Sequence, residues 1–86
     1  MNATPERAFL TRHAYARCRE MSVERSEVVE TLRWPTMTYP APPEYGPGRR
    51  VATGKRLAVV YAENFVVITV LWNGQTSRDA GPLYAA

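Results

Sequence analysis

Cysteine, histidine and long apolar runs are all scarce in this 86-residue chain. Cys18 is the single cysteine, so an internal disulfide is excluded, and so is a metal site built from several thiolates. The longest apolar run, Phe65 to Trp72, spans eight residues and contains Thr69. A membrane-spanning helix needs about twenty apolar residues, so no membrane association is expected. Glu6 and Arg7 stand ahead of any apolar run, which is not the layout of a secretory signal, and a cytoplasmic location is expected. HExxH, CxxC, GxGxxG and GxxxxGK[ST] patterns are missing, as are paired carboxylates. Metal, dinucleotide and nucleoside-triphosphate chemistry therefore have no support, and no cofactor is expected.

What is present fits one small domain over residues 1–86. Apolar residues make up 45% and charged residues 22%, the balance of a folded chain and not a disordered one. A chain of this size buries only about two-thirds of the surface it exposes when unfolded, which allows one modest core. Net charge is +3, and its distribution says more than its size. Six arginines in residues 1–33 are nearly balanced by five glutamates, whereas Arg49, Arg50, Lys55 and Arg56 follow one another with no acid among them.

Three blocks follow in order. Leu10, Ala14, Cys18 and Met21 recur at helical spacing, with Thr11 as the N-cap, and Val28, Val29 and Leu32 repeat the pattern over a second helix from about Val23 to Arg33, ended by Pro35. The second block, Pro35 to Pro47, holds five of the seven prolines. Met37 to Tyr39 suit a short edge strand, and Ala41 to Gly48 read as an exposed loop. The third block predicts a β-meander of Arg49–Thr53, Leu57–Ala62 and Phe65–Trp72. The expected fold class is α+β, with two N-terminal helices packed on one face of a three- to four-stranded antiparallel sheet. An ordered core is expected over about residues 10–72, followed by a loosely ordered tail over residues 73–86.

A two-residue turn at Glu63 and Asn64 would pair Ala62 with Phe65, Val60 with Val67, Val59 with Ile68 and Leu57 with Val70. That register gathers Leu57, Val59, Tyr61, Val66, Ile68 and Val70 on a core face. Arg56, Ala58, Ala62 and Thr69 fall on the other face, small and polar enough to act as a floor for a ligand.

His13 precedes Arg17 by one helical turn, so the two side chains rise from one face. Imidazole is the side chain best suited to moving protons near neutral pH. The same spacing also fits a boundary histidine that hydrogen-bonds a carbonyl. Arg49, Arg50, Lys55 and Arg56 suit phosphate contacts or, alternatively, a solvated strand end. Thr69 is either an ordinary strand residue or a hydroxyl aimed at a ligand. Tyr39 and Tyr45 are the aromatics expected to be exposed and available for stacking.

The run Thr11-Arg12-His13-Ala14-Tyr15-Ala16-Arg17-Cys18, followed by Leu32-Arg33-Trp34-Pro35, Arg50, Gly54, Leu57-Ala58-Val59-Val60 and Val67-Ile68-Thr69-Val70, resembles a family of small bacterial and phage domains. That family opens on a His-Ala-x-x-Arg helix. It is similar to the barnase–EndoU–colicin–RelE group of metal-independent ribonucleases, which includes RelE-like and BrnT-like toxins. The resemblance covers about residues 11–72. It implies a RelE/barnase-like sheet and RNA cleavage by 2′-hydroxyl transesterification. Its catalytic set would be His13, Arg17, Arg50 and Thr69, with Lys55 and Arg56 on flanking phosphates and water or Tyr61 as a second proton-transfer group; Arg49, Tyr39 and Tyr45, singled out above from their residue types, complete the expected substrate-binding set. A small acidic antitoxin would be the partner. Met21-Ser22 stands where family members often carry Arg-Gly. A different reading is a non-catalytic binding module that engages a host protein through its sheet edge or its proline-rich loop.

Overall fold

A computed structural model describes residues 4–74, and the expected tail beyond residue 74 lies outside the described residues. The described residues form an α+β fold, with two α-helices and one five-stranded mixed sheet. A single turn of 3-10 helix (Pro5–Arg7) leads into strand β1 (Phe9–Leu10), then helix α1 (Arg12–Met21) and helix α2 (Arg25–Arg33). Strands β2 (Met37–Pro40), β3 (Arg50–Thr53), β4 (Leu57–Ala62) and β5 (Val66–Trp72) follow. Their order across the sheet is β1-β5-β4-β3-β2.

Thr11 caps α1 as its sequence position predicts, its hydroxyl accepting from the Ala14 amide at 3.1 Å. Ala14, Cys18 and Met21 are the residues α1 buries. Ser22, at φ 56°, turns the chain left-handed, and the amides of Ser22 and Val23 close the helix onto Arg19 and Cys18. That conformation costs a non-glycine residue about 1 kcal/mol, and the corner it makes lets two short helices share one core. Helix α2 begins at Arg25, two residues later than the spacing predicts, because Val23 is drawn into the core and Glu24 takes the N-cap position.

Both helices pack on one face of the sheet. Ala14, Cys18, Met21, Val28 and Leu32 meet Ala52, Leu57, Val59, Val67 and Val70 in the main core. In place of the expected three- to four-stranded antiparallel sheet, the sheet has five strands and is mixed: β2 to β5 pair antiparallel, and β1 runs parallel to β5. Two residues show no alternation to read, which hides β1 in the sequence.

The β4–β5 register differs from the expected one. Three residues, Glu63 to Phe65, make the turn, with Asn64 (φ 61°) and Phe65 (φ 56°) both left-handed. Leu57 therefore faces Trp72, Val59 faces Val70 and Val60 faces Thr69, while Tyr61 faces Val67 and Ala62 faces Val66. The jump from Thr69 to Val67 marks a bulge at Ile68. The main pairing slips by two residues, which preserves the faces of β4. The bulge then sends Ile68 to the second face and leaves Val67 in the core.

The second face is also not the open floor the sequence suggested. Val51, Ala58 and Val60 are fully buried there beneath Tyr39, Ala41, Tyr45, Ile68 and Leu71. Part of the proline-rich segment thus roofs this face, with a 3-10 turn (Pro43–Tyr45) setting Tyr45 inward.

Candidate functional site

Among the described residues, strand β1 covers only Val66 and Val67 of β5, and no other strand pairs with that edge. The start of α1 supplies the missing donors. The Thr11 amide donates to the Val67 carbonyl at 3.1 Å, the Thr11 hydroxyl to Ile68 at 3.2 Å, and Arg17 Nε to Val70 at 3.2 Å. Placing α1 along this edge carries His13 around to Thr69, and His13 Nε2 lies 3.0 Å from Thr69 Oγ1. The hydroxyl is buried while the imidazole is exposed, so the bond holds an otherwise free ring in one orientation. Nδ1 of His13 makes no hydrogen bond among the described residues.

Arg17 is half-buried and also makes an ion pair with Glu20 at 3.0 Å through Nη1. Of its donors, Nη2 remains uncommitted. Tyr45 comes within electrostatic reach of Arg17 and Tyr39 across the roof of the second face. Burial pushes its phenol above the ordinary tyrosine range, with Glu44 adding to the rise, so the group stays protonated and can donate. Arg49 Nε donates to the Tyr45 carbonyl at 3.1 Å and fixes that turn. His13 and Thr69 thus meet at the β5 edge with Arg17 bonded to Val70 nearby, while Tyr39, Tyr45 and Arg49 gather on the second face.

The other named residues sit elsewhere. Arg50 pairs with Tyr61 on the helix-bearing side of the sheet, two strands from β5, and donates to the Thr38 hydroxyl at 3.3 Å. Lys55 and Arg56 occupy the β3–β4 hairpin. Arg56 is not an uncompensated cation: it grips Glu27 of α2 through two bonds, at 2.8 and 2.6 Å, and lies over the Trp72 ring. Tyr61 stacks on Phe65 with ring centroids 5.6 Å apart and packs with the helix-side core, away from Thr69. Its expected role as second proton-transfer group is unfavourable on placement alone. Cys18 is buried, and desolvation raises its thiol above the usual range.

Comparison with protein-family models, curated proteins and solved structures finds no match to this chain. Among the described residues, no group of three or more His, Cys, Asp or Glu could hold a metal ion. Among the same residues, no helix is long and apolar enough to cross a membrane.

Sequence reasoning missed one cationic stripe. Arg12 and Arg19 are exposed on the outer face of α1 and make no ion pair among the described residues. Their seven-residue separation places them one above the other on that outward face, a signal that was open to reading. The inward turn of Tyr45 onto the second face was not, because it depends on how the proline-rich segment folds back.

Proposed function

We propose that this chain is a metal-independent endoribonuclease that cleaves RNA by attack of a 2′-hydroxyl on the adjacent phosphate. The observation that carries the reading is the bond between His13 and Thr69, which orients the chain's only imidazole at the surface beside a half-free guanidinium. In the reaction, His13 Nδ1 takes the 2′-hydroxyl proton. The 2′-oxygen bonds to phosphorus, and the bond from phosphorus to the leaving 5′-oxygen breaks. The products are a 2′,3′-cyclic phosphate and a 5′-hydroxyl, the latter receiving a proton from water. Nη2 of Arg17 is the donor placed to meet charge on the non-bridging oxygens. Arg12 and Arg19 extend positive charge along α1 for flanking phosphates.

This assignment narrows the expected set. Arg50, Lys55 and Arg56 have no part in it, because each lies away from His13, and Thr69 acts by positioning the ring. Engagement of a host protein through the proline-rich loop is a weaker reading, since Ala41 and Tyr45 of that loop are spent on the second face. Engagement through the β2 edge is also limited. Tyr39 and Met37 point their backbone groups toward β3, Pro40 has no amide hydrogen, and Thr38 is left as the residue with an outward amide.

The test is RNA binding and cleavage in EDTA. Binding should weaken steeply with salt, and replacing both Arg12 and Arg19 by Gln should lower that salt slope by about two. A salt-independent interaction, or one unchanged by those substitutions, would remove RNA from the account.

A further inference from the structure

Trp34 is the most exposed large apolar side chain among the described residues, at 69%, and it stands directly after α2, away from the His13 edge. It forms the shared wall of two concavities of about 440 and 430 Å³. Arg33 lies over its ring at 5.5 Å and is itself paired with Glu6. A tryptophan held upright in this way is costly to leave in water and well suited to burial against a surface of matching shape.

Three carboxylates, Glu6, Glu27 and Glu30, line the two concavities beside four cations, Arg25, Arg33, Lys55 and Arg56. Arg33 is paired with Glu6 and Arg56 with Glu27, and Arg25 donates to the Glu6 and Ala8 carbonyls, so this surface offers a polyanion little free positive charge. Within the second concavity, Glu27 and Arg56 satisfy one another, whereas the Glu30 carboxylate and the Lys55 ammonium have no partner among the described residues. One acid and one base, both free, flank one exposed tryptophan.

That arrangement is self-complementary under a two-fold axis. In an isologous interface a residue of one copy meets its counterpart's neighbour and the reverse contact follows by symmetry. We propose that two copies of this chain associate through the Trp34 surface. The Glu30 carboxylate of each copy meets the Lys55 ammonium of the other, and each indole enters the other's concavity.

Sedimentation velocity over a micromolar to millimolar series tests the inference. The wild type should move from 9.7 kDa toward twice that mass, with a blue shift in tryptophan emission. Trp34→Ala, at an exposed position, should stay monomeric with an unchanged far-ultraviolet spectrum. Lys55→Glu gives a copy with two free acids and Glu30→Lys one with two free bases, so each alone should be monomeric. An equimolar mixture of these two variants should recover the dimer. A monomer at every concentration overturns the proposal, as does a dimer that survives both charge reversals or a mixture that stays monomeric.

Discussion

Nε2 of His13, in the first turn of α1, lies 3.0 Å from Oγ1 of Thr69 in β5, fifty-six positions later in the chain. The contact is unequal, because Thr69 is buried and His13 is exposed. Losing the imidazole leaves a buried hydroxyl without this partner, at about 1–3 kcal/mol. Replacing the hydroxyl by a methyl group frees only an imidazole that water can solvate. His13→Ala should therefore destabilise the fold more than Thr69→Val does, as read from urea midpoints at constant slope. The opposite order would mean that Thr69 Oγ1 is satisfied by another group.

Arg17 joins α1 to the unpaired edge of β5. Arg17→Lys should cost about 1–2 kcal/mol, since a single ammonium cannot serve the Val70 carbonyl and Glu20 in the fork geometry of a guanidinium. Thermal unfolding of Arg17→Lys beside Arg17→Met checks this. Full rescue by lysine would show that charge alone matters at this position.

Glu27 and Arg56 tie α2 to the β3–β4 hairpin. The hydrogen bond from Arg56, reinforced by its charge, holds the Glu27 carboxyl below its ordinary value of 4.5. With the folded-state value depressed, the stabilisation is complete above the unfolded carboxylate range and is lost as pH falls through the folded value. Wild type and Glu27→Gln should consequently converge in stability between about pH 5 and pH 3. A gap that stays constant across that window would contradict the linkage.

Gly54 is required by a close approach. A Cβ built there would sit 3.1 Å from Thr31 Oγ1 and 3.3 Å from its Cγ2, and Thr31 is buried with its hydroxyl donating to the Glu27 carbonyl. Gly54→Ala should cost about 1–3 kcal/mol by forcing the hairpin off α2. Trimming the neighbour in Gly54→Ala/Thr31→Ala should recover part of that loss, which a double-mutant cycle measures.

The helices and three long strands were legible because their signals are local. Thr11, Pro35 and the spacing of Ala14, Cys18, Val28 and Leu32 each act within a turn or two. What was not legible depends on contacts far apart in sequence. Phe9 and Leu10 become a strand only because Val66 and Val67 stand beside them. Phe65 adopts a left-handed turn conformation that its residue type disfavours, so the longer turn and the bulge at Ile68 could not be read from Glu63-Asn64. The same holds at the site. The pairing of His13 with Arg17 follows from helical spacing, whereas the closing of Tyr45 over the second face, and the engagement of Arg56 by Glu27, follow from tertiary packing.

Proton transfer by His13 in the proposed 2′-hydroxyl attack is read most directly from single-turnover cleavage of an end-labelled RNA in EDTA, by wild type and His13→Ala, at a temperature where both are folded. Expected are products ending in a 2′,3′-cyclic phosphate, a rate at least about 100-fold lower for His13→Ala, and no cleavage of the same RNA carrying 2′-O-methyl groups throughout. Intact RNA with the wild type, or equal rates for the two proteins, would contradict it.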